Sequence, residues 1–123
     1  MGPERISDAE HKVMEVLWHR APQTATDVAD ALADERDWSL QTVKTLLSRL
    51  ANKGAVAHQR DGRRFLYRPI LEREDYVEGE SRRLVDRLFG GRAAPLIAHL
   101  AERDRFSDDD VRAIEKLLRE LKS

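Results

Sequence analysis

The stretch from Ser39 to Gly54 reads SLQTVKTLLSRLANKG, and its periodicity decides how the chain is built. Val43, Leu46, Leu47 and Leu50 recur at i, i+3, i+4 and i+7, the spacing of one buried helix face. Ser39 is a strong N-cap residue, and Gly54 is placed to supply the left-handed residue that closes a helix. On a wheel of about 100° per residue, Leu46, Leu47 and Leu50 fall within about 60° of Val43. The opposite face collects Gln41, Thr42, Thr45, Ser48, Arg49 and Asn52, with Lys44 on the flank. It carries no acid. A face kept polar for solubility alone would mix Glu with Lys. This one offers amide, hydroxyl and cationic groups, which read base edges and phosphates.

Two amphipathic helices are expected before this one. The first starts at Ser7, which has capping-box spacing to Glu10, and carries Val13, Met14, Leu17 and Trp18 as its stripe until Ala21-Pro22 ends it. The second starts at Thr24, with Asp27 three residues on, and buries Ala25, Val28, Ala29 and Leu32. After Gly54 come two strand-like runs, Ala55 to Arg60 and Arg63 to Arg68. Between them stands Asp61-Gly62, a pair suited to a two-residue hairpin turn. Three helices followed by a hairpin is the order of a winged helix-turn-helix. In that design the third helix enters the major groove and the hairpin lies over the backbone beside it. Strand alternation sends Phe65 and Tyr67 to one face and Arg64, Leu66 and Arg68 to the other. The aromatics read as anchors of the wing to the core, and the arginines near the turn as phosphate clamps. The candidate DNA-contacting residues are Ser39, Gln41, Thr42, Lys44, Thr45, Ser48 and Arg49 on the helix, with Arg60, Arg63 and Arg64 on the wing.

Charge agrees with this placement. The 123 residues carry a net charge of −1, but it is unevenly spread. Residues 1–40 hold four basic and nine acidic groups; residues 41–68 hold seven basic groups and the single acid Asp61. The remainder has 11 basic and 13 acidic groups. A block of +6 in an otherwise acidic chain points to a polyanionic partner.

Beyond Pro69 the pattern is helical again. Tyr76, Val77, Leu84, Val85 and Leu88 mark a long fourth helix closed by Gly90-Gly91; Pro95, Leu96, Ile97 and Leu100 mark a short fifth. Ser107 with Asp110 caps a sixth, striped by Val111, Ile114, Leu117, Leu118 and Leu121, with Asp108 to Asp110 suiting its dipole. A segment of this length is too small to bury three apolar stripes within itself. Pairing two copies would bury them. The expected architecture is therefore mainly α with a small β-hairpin. Residues 1–70 form a winged helix-turn-helix DNA-binding domain, and residues 71–123 a C-terminal helical dimerisation domain. The candidate dimerisation residues are Tyr76, Leu84, Leu88, Leu96, Ile97, Leu100, Val111, Ile114 and Leu118.

Enzymatic readings find little support. There is no cysteine, no glycine-rich phosphate loop and no nucleophile elbow. His11, His19, His58 and His99 lie in different elements without metal-ligand spacing and read as surface residues; Asp108 to Asp110 read as a helix N-terminal cluster. No cofactor, metal or catalytic residue is expected. Met1 to Ile6 has no apolar run and no stretch approaches transmembrane length, so a soluble, cytoplasmic protein without membrane insertion is expected.

Several segments together resemble the penicillinase repressor family, the winged-helix repressors of β-lactamase and methicillin-resistance genes, to which copper-responsive repressors are related. They are Ile6 to Glu10 (ISDAE), Val13 to Trp18 (VMEVLW), Trp38 to Leu50 (WSLQTVKTLLSRL), Lys53-Gly54, the wing strand Arg64 to Tyr67 (RFLY) and Leu88 to Gly91 (LFGG). The resemblance runs from about residue 6 to about residue 121. It implies a transcriptional repressor acting as a homodimer on a palindromic double-stranded DNA operator with TACA/TGTA half-sites, held together by the C-terminal helices. It also implies a membrane sensor protease as a partner, which triggers cleavage at an Asn-Phe bond. The matching bond here is His99-Leu100, a departure that counts against cleavage there. The copper-responsive relatives use paired Cys-x-Cys motifs, which this chain lacks. The competing reading from the residues is a winged helix that serves protein–protein assembly and never meets DNA. The acid-free face separates the two, because a protein-binding helix has little reason to exclude Glu and Asp.

Overall fold

The computed structural model describes residues 5–103 and 106–123. The element order is α1 (Asp8–His19), α2 (Ala25–Leu32), α3 (Leu40–Asn52), β1 (Val56–Asp61), β2 (Arg64–Pro69), α4 (Arg73–Phe89), α5 (Ala93–Glu102) and α6 (Asp108–Lys122). This is the expected mainly α chain with one antiparallel hairpin.

The helix starts follow the capping chemistry. Ser7, Thr24 and Ser107 each form a full capping box with Glu10, Asp27 and Asp110, and Ser39 accepts a hydrogen bond from the Thr42 amide. At the other end of α3, Gly54 takes φ 78°, a left-handed value that a side chain would resist.

Two compact units divide the chain, one ending at Tyr76 and the other beginning at Val77. In the first, α1, α2 and α3 close around Val13, Met14, Leu17, Val28, Leu32, Val43, Leu46, Leu47 and Leu50, with Val56 entering from β1. The four apolar positions of α3 are therefore all in the core. Trp18 and Trp38 pack half-buried against it, and the Trp18 indole donates to the Leu71 carbonyl at 2.8 Å.

Two polar devices hold this unit together. Buried Gln23 exchanges backbone hydrogen bonds with Tyr67 of β2, at 3.0 and 2.8 Å. Its side-chain amide donates to the Val16 and Arg20 carbonyls at the end of α1. One residue thus ties the wing to the end of α1; it satisfies the Arg20 carbonyl and adds a second bond at Val16, which already accepts the Arg20 amide. The second device is an ion pair. Lys53 donates from Nζ to Glu10 Oε1 at 2.6 Å, joining the end of α3 to the start of α1, and Glu10 is only 1% exposed. Burial pushes the Glu10 carboxyl up, but hydrogen bonds from Lys53 and Ser7 outweigh it and hold the group below the ordinary carboxylate range.

The structure corrects four expectations. The strands run one residue later than expected, so the loop is Gly62-Arg63. Asp61 pairs with Arg64 across the strands, and Gly62 in the loop takes a positive φ of 65°. Phe65 is not a core anchor: it is 42% exposed, while Tyr67 packs half-buried against the core. Tyr76, expected in the dimerisation set, belongs to the first unit, stacked on His11 at 4.9 Å and tilted against Trp18 at 5.7 Å. His11 is for the same reason no ordinary surface residue, and it also hydrogen-bonds Glu15 at 2.8 Å.

The second unit differs in kind. Among the described residues, α4, α5 and α6 contain none that is buried. Leu84, Leu88, Ile97, Val111, Leu117 and Leu118 are exposed, and Leu121 is 81% exposed. No helix of the described residues is long and apolar enough to cross a membrane.

The ion pair yields a stability prediction. Lys53→Ala leaves Glu10 charged and buried without its cation. Breaking a fully enclosed pair costs about 3–5 kcal/mol; Lys53 keeps 19% exposure, so about 2–3 kcal/mol is expected in urea unfolding followed by tryptophan fluorescence. The Glu10 pKa is lowered by folding. The wild-type stabilisation is therefore present above the ordinary carboxylate range and lost as pH falls through the lowered value. The variant's deficit should shrink on acidification, because protonation removes the unpaired charge. A deficit independent of pH would contradict this assignment.

Candidate nucleic-acid interface

Burying the stripe of α3 turns its other face outward. Ser39, Gln41, Thr42, Lys44, Thr45, Ser48, Arg49 and Asn52 are all exposed. Their state of engagement differs. The Ser39 hydroxyl is held in the cap, 3.1 Å from both the amide and the hydroxyl of Thr42. Thr45 donates its hydroxyl to the Gln41 carbonyl at 3.0 Å, which fixes its rotamer and leaves the oxygen able to accept. Among the described residues, the side chains of Gln41, Lys44, Ser48 and Arg49 make no hydrogen bond or ion pair. Cations without a partner inside the protein need none displaced before they meet a phosphate.

The wing sorts its arginines by position. In the register, Arg60 faces Phe65 and Asp61 faces Arg64, so these two arginines lie on opposite faces of the hairpin. Arg60 donates to the Gly62 carbonyl at 3.1 Å, with its guanidinium 5.9 Å from the Phe65 ring centre. Arg64 is paired with Asp61 at 3.0 Å, and its charge also reaches Asp27. Arg63, at the turn, makes no hydrogen bond or ion pair among the described residues, and the same holds for Arg68. The basic block is therefore smaller than the sequence suggests. Lys53 is spent on Glu10, and Arg64 is half-compensated. Lys44, Arg49, Arg63 and Arg68 remain as its uncommitted charges.

Two features escaped the sequence reading. The sequence counts Lys53 only as one charge of the basic block and does not reveal its pairing with Glu10, 43 positions away. Leu40, the first residue of α3, is 40% exposed at the edge of the polar face. Among the described residues there is no group of three or more His, Cys, Asp or Glu able to hold a metal ion.

A three-helix core with an outward, acid-free third helix and a basic hairpin defines a winged-helix DNA-binding protein. The family model "Penicillinase repressor" matches residues 6–120. The penicillinase repressor of Bacillus licheniformis is 33% identical over 97% of this chain and 93% of its own length. The transcriptional regulator BlaI of Mycobacterium tuberculosis is 38% identical, over 97% of this chain and 86% of its own. Among solved structures, monomeric Bacillus licheniformis BlaI in complex with the blaP half-operator is similar, with TM-score 0.53 and 39% identity over 61% of this chain and 92% of that one. The chain belongs to the penicillinase repressor family, and is by that membership a DNA-binding transcriptional repressor.

The pairing pattern ranks the wing arginines. Arg63→Ala should weaken binding to all duplexes alike and reduce the slope of log K against log salt by about 1, the loss of one phosphate contact. Arg64→Ala should reduce it by less, because Asp61 already neutralises part of that charge. Anisotropy titrations at several salt concentrations would check this. A larger slope change for Arg64 than for Arg63 would reverse the assignment.

Proposed function

We propose that this repressor acts as a homodimer on a palindromic operator, with one winged helix on each half-site. Gln41, Thr42 and Thr45 read bases there, and Lys44, Arg49 and the wing arginines hold the backbone. The observation that carries the reading is the second unit, a run of amphipathic helices with no buried residue among those described. Exposed leucines at this density are unstable in water unless another surface covers them, and each large side chain fully buried contributes about 1.5–3 kcal/mol. The cover we assign is a second copy. Charge supports it: α6 begins with Asp108, Asp109 and Asp110 and ends with Arg119 and Lys122. Two such helices running antiparallel would set the acids of one copy beside the cations of the other.

An open cleft of about 820 Å³ has the apolar residues Leu100, Phe106, Ala113 and Ile114 in its lining with His99, Arg103 and Asp110, and offers space for side chains of the partner copy. The half-operator complex of BlaI supports one winged helix per half-site. A two-fold axis would then place two recognition helices on half-sites about one helical turn apart. The revised dimerisation set omits Tyr76 and adds Leu117 and Leu121 to Leu84, Leu88, Leu96, Ile97, Leu100, Val111, Ile114 and Leu118. A sensor protease as inducer rests on family likeness alone. The His99-Leu100 bond lies inside α5, which would have to unwind before cleavage.

Sedimentation tests the dimer. The wild type should sediment as a dimer at tens of micromolar, and Ile114→Glu or Leu118→Glu should shift it to monomer with a steep loss of operator affinity. A wild-type monomer, or dimers unaffected by both charges, would refute the role given to the second unit.

A further inference from the structure

The apolar surface of the first unit is distributed in a way that the polar reading of α3 leaves unexplained. Among its described residues, three large apolar side chains are exposed: Leu40, Phe65 and Ile70. Two of these stand on the two elements that would meet DNA, Leu40 on α3 and Phe65 on the wing. Leu40 is the sharper case. Val43, Leu46, Leu47 and Leu50 on the same helix are at most 5% exposed, whereas Leu40 is 40% exposed. It occupies the first position after the Ser39 cap, where the side chain leans toward the helix N-terminus. That is the end of a recognition helix that reaches furthest into the major groove. Its same-face neighbour on the outward side is Lys44 at i+4, exposed and without a partner, and Gln41, next along the chain, is likewise exposed and unpartnered.

We propose that Leu40 is a specificity-determining residue that reads the C5-methyl group of a thymine in each half-site. The proposal rests on the DNA-binding reading above. Thymine is the base that presents an apolar group on the major-groove floor, so an apolar side chain beside hydroxyl, amide and cationic neighbours has one complementary target there. Polar contacts from Gln41 and Lys44 fix position and register. Leu40 then distinguishes thymine from cytosine and from uracil by removing one methyl from water. The expected discrimination is about fourfold per half-site, the value of one buried methyl group.

The experiment uses the full-length protein and a duplex that it selects from a randomised pool. Each thymine is replaced singly by deoxyuridine, which removes the methyl group and leaves every hydrogen-bonding group in place. Wild type, Leu40→Ala and Leu40→Met are titrated by anisotropy, with circular dichroism to confirm that the exposed substitutions leave the helix content unchanged. The expected result is one thymine per half-site whose replacement weakens wild type about fourfold. That replacement should leave Leu40→Ala unaffected and be felt again by Leu40→Met. A flat uracil scan for a wild type that binds its duplex, or equal losses for wild type and Leu40→Ala, overturns the proposal and leaves DNA recognition standing. Failure to select any duplex overturns both.

Discussion

Helix α3 has one apolar stripe, and burying that stripe leaves it only one way to face. Val43, Leu46, Leu47 and Leu50 are all in the core, so rotating the helix by even one residue would expose leucine and bury Lys44 or Arg49. Burying either cation unpaired would cost far more than a packing defect. The orientation of Gln41, Thr45, Ser48 and Arg49 is thus fixed by hydrophobic burial on the opposite side of the same helix. The outward presentation of these polar groups follows from the core on the opposite side of the helix.

The polar contacts refine what the core fixes. Lys53 and Glu10 pin the end of α3 to the start of α1, while Gln23 pins the wing to the end of α1. Helix and wing are the two elements that would meet one duplex, and each is tied to α1. The second unit follows the opposite logic: Ser107 and Asp110 cap α6 fully, yet none of the described residues of its helices is buried. Local propensity is enough to make them helical. A surface outside the unit would have to supply their packing energy; under the proposed dimer that surface is a second copy.

Much of this was legible in the sequence because it is written in short-range chemistry. Cap residues, the 3.6-residue stripe and the glycines after α3 and α4 all act within one or two turns, and each marks its element directly. The wing shows the limit. Asp61-Gly62 is a sound hairpin signal, but only the left-handed Gly62 and the pairing of Asp61 with Arg64 decide which two residues form the loop. What could not be read depends on pairs distant along the chain. Lys53 meets Glu10 across 43 positions, and Tyr76 meets His11 through folding that periodicity does not encode. Each carries chemistry that fits another reading, Lys53 as one charge of the basic block and Tyr76 as an aromatic for an interface. Each was already engaged elsewhere. Phe65 errs the other way, since alternation assigns it the same face as Tyr67 but not its distance from the core.

The proposed two-fold reading of DNA can be tested directly on the nucleic acid. Hydroxyl-radical footprinting of the full-length protein on its selected duplex should show two protected patches related by a dyad, about 10–10.5 base pairs from centre to centre, or an integral multiple of that. Both should appear together over one titration range. A single protected patch at saturation, or two patches without dyad symmetry that fill independently, would contradict a dimer of winged helices held by its C-terminal helices.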